Sequence, residues 1–588
     1  MSKNQDDPAS RKAETGSLGI ISEPNSKSNL HPSCKHALSQ QHQQSHPSAE
    51  SSASSGQTFA HALVTRCRAL LSEIDTLKTL LAETQRNPQI VEVRSLRSNV
   101  LSELKTLEKL SAQLGAGTQS QSQSNEAAAA TRSYLEENAA ENIEPTDSYT
   151  EPPEAELRVT HALRSSNLPF YEAVWAVAKK SCTGLVAFGK RFYWDGEGEK
   201  EKDKKKAKRK SVFVDIVADD GEEWVKVSTI SETRLLFEMA KKGWEGDSED
   251  SEDGEERTVL QNHGEDEDSD YSGDDDDEIE LLKLAADMRK AASLVTVNYR
   301  RPRLRFMMPK VEEGSSPEID DLLKAIRGYG VVVKCGEEVF ASQTDAANDN
   351  TAEVVSVQEE IQCLLPNRFK RFTPTLNVDC TLLLAIISDL SHFNDIAPSL
   401  KHHKAINRQI EIERERPLLL TELWPAMQSH HLVCTSEAAR RMREIVETIG
   451  TDTERKRMTI LMGDQSSGGK SASLIEELQE LSDYHIPSQL DLPIEIVKAD
   501  DAIKSRHAQA KLPPVAQKVE EILSDINKSV FIYGWVSGIM TVTSNRTVTK
   551  QIENLIESQR DGEDLQGPLI WVCDTARSLI GKEKGRRS

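Results

Sequence analysis

The chain has 588 residues, 37% hydrophobic and 29% charged, with a net charge of −23; that is room for roughly two to four domains and the profile of a soluble protein with sizeable unfolded segments. No apolar run approaches the roughly 18 residues that a membrane-crossing helix needs, and the start MSKNQDDPASRKAETG lacks the apolar centre of a secretory signal, so the expected location is cytoplasmic and/or nuclear, with no membrane partner. Eight cysteines are scattered singly without a CxxC pair, which excludes a disulfide framework or a cysteine-rich zinc site.

The charge is local rather than general. From Glu245 to Leu281, 19 acidic residues face the single Arg257, a balance of −18 that leaves −5 for the remainder. Such a block repels itself and is expected to stay solvated as a disordered acidic loop. The rest of the chain is near neutral, so nothing global forbids contact with a polyanion.

In chain order, residues 1–56 are rich in Ser, Gln, His and Asn and are predicted to be a disordered tail. His31, Cys34, His36, His42 and His46 fall within it, but no apolar framework surrounds them to fix a tetrahedral metal site. Over 57–115 the pattern is helical: Leu63, Leu70, Ile74, Leu77 and Leu81, then a break at Asn87-Pro88, then Val93, Leu96, Val100, Leu104, Leu107 and Leu114. The two runs predict an antiparallel helical hairpin, whose apolar stripe suits either packing on the rest of the chain or a partner-binding coiled coil. A Ser/Gln/Glu-rich linker is expected over 116–155.

Residues 156–342 are expected to form a mixed α/β domain. LPFYEAVWAVAKKS and ETRLLFEMAKKGW are amphipathic, while GLVAFGKRFYW, SVFVDIVADD and EWVKVSTI carry strand-like β-branched runs. Two charged insertions interrupt it, at about 195–210 and 245–281; the first ends in the basic run Lys204–Lys210, which suits a nuclear import signal or a solvated loop. After a linker over 343–364, residues 365–582 offer the strand candidates TPTLNVD, HLVCTS, SVFIYG, IMTVTS and PLIWVCD, separated by helical stretches. Short apolar strands alternating with helices predict a mainly parallel sheet covered on both faces, with ligands at the carboxyl ends of its strands.

Within this last region GDQSSGGKS, Gly463 to Ser471, invites comparison with a phosphate-binding loop. The register excludes it: six positions before Lys470 the pattern needs glycine, and the chain has Asp464, a carboxylate where phosphate charge would sit. A Gly/Ser loop is expected instead, and Asp574 at the end of LIWVCD is an ordinary strand-terminal acid. NRFKRF, 367–372, and YRRPRLRF, 299–306, interleave cations with aromatic rings as RNA contact would need, or as ordinary solvated surface does.

The run from Leu376 to His392, HLVCTSEAARRMREIVETIGTDTERKR from His431 to Arg457, and YGWVSGIMTVTSNR from Tyr533 to Arg546 resemble the C-terminal domain of the domain-of-unknown-function 1308 family. Residues 58–340, a hairpin followed by a VDIVADDGEEWVKV strand pair, resemble its N-terminal part. The family's C-terminal domain looks like a PIN domain, the three-layer α/β/α fold of metal-dependent ribonucleases. The resemblance therefore implies three or four carboxylates converging on Mg²⁺ or Mn²⁺, which would activate a water and clamp the leaving oxygen of a phosphodiester.

Carried over residue by residue, Asp379 matches the first acid and Glu437, in CTSEAARRM, the second, so both would be metal ligands; Asp379, Glu437 and Asn545 make up the implied catalytic set. The chain departs from the pattern twice. Trp535 follows Gly534 where the family carries an aspartate, and Asn545 stands where an active PIN nuclease has an acid. A weak or inactive endoribonuclease, or an RNA-binding protein, is the expectation; Asp389 and Asp395 are the nearest acids to compensate. Position alone also fits Asp379 as a helix cap, Glu437 as a first-turn helix acid and Asn545 as a turn or cap residue. The alternative from another class is a non-enzymatic scaffold that recruits proteins through the hairpin and the acidic loop.

Overall fold

The computed structural model describes residues 49–85, 88–114, 154–194, 209–243, 279–340, 357–400, 402–464, 471–507, 512–560, 562, 565–573 and 576–580. The tail histidines and Cys34, most of the two charged insertions, nearly all of the 116–155 linker, the 343–356 part of the second linker, Asp574 and the centre of GDQSSGGKS lie outside them. The rest of that second linker is not a linker but the helix Val357–Cys363 followed by Leu364, with Ile361 and Leu364 packed into the N-terminal core. Among the described residues, no helix is long and apolar enough to cross a membrane.

Two five-stranded sheets organise the chain. The first comprises β1 (Ala187–Trp194), β2 (Lys210–Ala218), β3 (Glu223–Val227), β4 (Arg303–Met308) and β5 (Val331–Cys335), ordered as numbered. The pairs β1–β2 and β2–β3 are antiparallel, and β3–β4 and β4–β5 are parallel. Side chains alternate across this sheet. Leu304, Phe306 and Met308 face the helices Glu280–Ala292 and Pro317–Gly328, whereas Ile216, Val225 and Met307 face the N-terminal helices.

Helix Ala49–Thr84 and the helix over 94–114 run antiparallel, tied by Arg97 to Asp75 (2.6 Å) and Arg68 to Glu108 (2.7 Å). Their apolar stripe is consumed within the chain: Leu70, Ile74, Leu77 and Val100 share one core with Val174, Trp175 and Phe188. Glu73 fastens the contact by accepting from the Trp175 indole and the Lys179 ammonium, both at 2.7 Å.

The second sheet has β6 (Thr375–Val378), β7 (His431–Thr435), β8 (Glu495–Val497), β9 (Met540–Thr543) and β10 (Ile570–Val572), in the order β10-β9-β6-β7-β8. All its pairs are parallel. Counted along the chain this order is 3-2-1-4-5, so successive connections turn outward in opposite directions from β6. With the right-handed crossovers general to parallel sheets, that reversal puts helices on both faces.

Two expectations for this sheet need correction. SVFIYG is not a strand; it lies in the helix Asp525–Ser537, which is apolar on nearly every side because it is buried, and periodicity cannot separate such a segment from a core strand. β8, in LPIEIVKAD, has only three residues and no apolar alternation to mark it. TERKRMTILM, open to either reading, is the helix Asp452–Met462, begun by a Thr451/Glu454 capping box and ended by Gly463 at φ 67°. Asp464 then pairs with Arg443 at 2.7 Å, which ties down the start of the Gly/Ser stretch.

Candidate functional site

In the second sheet, the strand order reverses between β6 and β9, and the crevice at the carboxyl ends of these two strands is where open α/β sheets collect their ligands. β6 delivers Asp379 there and β9 delivers Thr543, Ser544 and Asn545. The register is fixed by Val378 opposite Val542 and by the Asp379 amide on the Val542 carbonyl (3.0 Å).

Asp379 is 4% exposed. It occupies the N-cap position of the helix Cys380–Ile387, but its side chain does not cap that helix. Instead its Oδ2 accepts from the hydroxyls of Thr381 (2.7 Å) and Thr543 (2.6 Å). Burial raises the Asp379 carboxyl above the usual carboxylate range, against the pull of the two threonine hydroxyls. The same hydroxyls also organise the backbone: Ser544 N–H donates to Thr381 Oγ1 (3.1 Å) and Asn545 N–H to Thr543 Oγ1 (2.9 Å). Asn545 is the N-cap of helix Arg546–Ser558, accepting from the Val548 amide at 3.3 Å.

Glu437 lies at the same sheet edge, one strand over, in the first turn of helix Ser436–Ile449. Thr435 caps that helix by accepting from Ala438 N–H (3.2 Å), which leaves Glu437 with the Ser436 hydroxyl on Oε1 (3.0 Å) and nothing on a solvent-shielded Oε2. No hydrogen bond or ion pair joins Glu437 to Asp379 among the described residues. Nor, among them, does any group of three His, Cys, Asp or Glu side chains stand where it could hold a metal ion.

The other named acids and Trp535 fall elsewhere. Asp389 is buried and fully engaged, accepting from Arg457 (2.7 Å), Thr453 (2.7 Å) and Thr451 (2.6 Å). Asp395 is exposed on the loop that follows. Trp535 is near the end of the helix that feeds β9 and meets Met540, the first residue of that strand. It therefore sits at the amino edge of the sheet, opposite Asp379, and does not fill the crevice.

Sequence pattern marked the acid and missed its partners. Thr381 and Thr543 are 162 residues apart, and only the strand pairing brings them together. Most of the side chains in the two Arg/aromatic stretches are engaged within the chain. Phe369 and Phe372 pack on each other and on Trp571, with ring centroids 5.1 to 6.0 Å apart. Arg368 pairs with buried Glu422 (2.8 Å), Lys370 with Asp219 (2.7 Å) and Arg371 with Glu222. From the other stretch, Arg303 pairs with Asp219 (2.6 Å) and Arg305 with Glu223 (3.3 Å). Both stretches belong to the seam between the two sheets.

Residues 376–468, from β6 to the Gly/Ser stretch, match the family model described as a protein of unknown function (DUF1308). No solved structure matches the chain.

Proposed function

We propose that the C-terminal sheet and its helices form a PIN-like unit that binds single-stranded RNA at the β6/β9 crevice without metal-dependent cleavage. The observation that carries this reading is the capture of Asp379 by Thr381 and Thr543: among the described residues it is the acid that β6 brings to the crevice, and it is buried with both hydroxyls donating to its Oδ2. The donor set among the described residues does not fit a Mg²⁺ or Mn²⁺ centre. Such a centre needs several ionised oxygens free to face the ion, whereas Asp379 Oδ2 is already occupied by two hydroxyls and Asn545 supplies a neutral amide whose oxygen is turned toward Val548. Glu437 alone at the neighbouring strand would hold a divalent ion weakly.

Affinity for a phosphodiester has a separate source. The helices Cys380–Ile387, Ser436–Ile449 and Arg546–Ser558 all begin at this edge, and helix N-termini favour anionic oxygens. The apolar stripe of the hairpin, buried within the chain, gives the scaffold alternative no support.

The test uses a labelled single-stranded RNA with the full chain, in EDTA and in Mn²⁺, for the native protein and Asp379→Asn. Binding by anisotropy is expected in EDTA, with no Mn²⁺-dependent shortening of the RNA by either protein. Cleavage by the native chain that Asp379→Asn abolishes would restore the nuclease reading, and absence of RNA binding in both proteins would remove the RNA altogether.

A further inference from the structure

At the amino edge of the second sheet, away from Asp379, the two halves of the chain enclose a cleft of about 770 Å³. Its size and its position between packed units are those of small-molecule sites. Trp535 lines it beside Met540 and Ile570, its side chain largely buried. One wall carries Tyr299 and Arg300 and the other, the helix Arg546–Ser558, carries Glu553.

The charges divide into engaged and available. Arg371 is taken by Glu222, and Glu557 by Arg560 (2.8 Å). The side chains of Arg300 and Glu553, both exposed to the cleft, make no ion pair or hydrogen bond with any described residue. The rim is also conformationally costly: Asn298 and Tyr299 are consecutive non-glycine residues in the left-handed region, at φ 50° and 69°. Such conformations persist where the surroundings over-determine them, and they gather at ligand clamps. Here Arg560 (2.9 Å) and the Leu565 amide (3.1 Å) both donate to the Tyr299 carbonyl, and Gly567 leaves no room for a Cβ beside the Tyr299 ring.

A ligand complementary to these groups carries an anion for the guanidinium, adjacent N–H donors for the carboxylate, and a flat π-face for the aromatic lining. We propose that the cleft binds a guanine nucleotide, with Glu553 accepting from the guanine N1–H and 2-amino group, the base lying along Trp535 and Tyr299, and the phosphate on Arg300. Adenine presents an acceptor at N1, and uracil offers a single N–H, so neither matches the carboxylate. This site is independent of the β6/β9 reading and stands if that reading fails.

Calorimetric titration of the full chain with GMP, AMP and guanosine tests it. GMP is expected to bind at least about tenfold more tightly than AMP, a difference of about 1.4 kcal/mol. Glu553→Gln should bring GMP to the AMP level, and Arg300→Ala should weaken GMP while leaving guanosine unchanged. Both side chains are exposed, so an unchanged melting temperature will verify that each variant is folded. Failure of GMP to saturate the chain at millimolar concentration, equal affinity for GMP and AMP, or indifference of GMP binding to Glu553→Gln overturns the proposal.

Discussion

His392 and Asp379 are both buried at the second sheet, and their protons respond to pH in opposite directions. His392 Nε2–H donates to the Ile386 carbonyl (2.6 Å), and Nδ1 shares a hydrogen bond with the Ser482 hydroxyl (2.8 Å). Burial, aided by the nearby Arg457 charge, lowers its pKa from an ordinary 6.5 to about 3. The unfolded chain therefore takes up a proton near pH 6.5 that the folded chain refuses, so the stability His392 provides is complete above that pH and is lost as pH falls toward 3. The slope is about 1.4 kcal/mol per pH unit in that window. Asp379, with a raised pKa, works the other way: its contribution is present at low pH and is lost as pH rises through the folded value. Comparison with His392→Gln cancels the Asp379 contribution. Urea midpoints of the native chain should fall more steeply than those of the variant between pH 6.5 and 5; parallel curves would mean that the ring is charged in the folded state.

At the level of elements, the helix Asp525–Ser537 positions the site without contributing a reactive group. It presses on β9 at Gly534, where an added Cβ would overlap Thr541 Oγ1. Thr541 is itself fully buried and receives the Asn377 amide (3.1 Å), which links β9 to β6 two residues before Asp379. Gly534→Ala is expected to destabilise the chain by about 1–3 kcal/mol through overpacking, with faster amide exchange across β6 and β9 in hydrogen-exchange measurements. Unaltered exchange there would show that the helix can shift without disturbing the crevice. The strands β6, β7, β9 and β10 were legible because each is a short apolar run bounded by turn residues, and the position of Asp379 followed from its place at the end of the first. Asp525–Ser537 was not legible as a helix because burial removed its amphipathic signature. The hydroxyl pair around Asp379 was hidden for a different reason: a threonine after a strand is unremarkable until sheet order places a second one across from it.

Taken whole, the molecule is two sheets joined by a charged seam whose parts were visible in the sequence only as charge. The β2–β3 turn supplies Asp219, Glu222 and Glu223, with Asp219 and Asp220 in the left-handed region at φ 51° and 55°. NRFKRF supplies Lys370 and Arg371 to Asp219 and Glu222, while its phenylalanines enter the core of the second sheet. One hexapeptide thus anchors in one half through its rings and in the other through its cations. Glu222 is 6% exposed, so removal of Arg371 leaves a shielded carboxylate with less compensation. The loss of one partner of a fully buried pair costs about 3–5 kcal/mol; with the Arg371 side chain 36% exposed the cost here is smaller, and the more exposed pair of Lys370 with Asp219 is worth less again. This cost falls on the joint rather than on either core. Arg371→Ala is therefore expected to lower the first transition in scanning calorimetry and separate the melting of the two halves, whereas Lys370→Ala should shift it only slightly. If Arg371→Ala melts in one transition at the native temperature, the Arg371 charge does not couple the sheets.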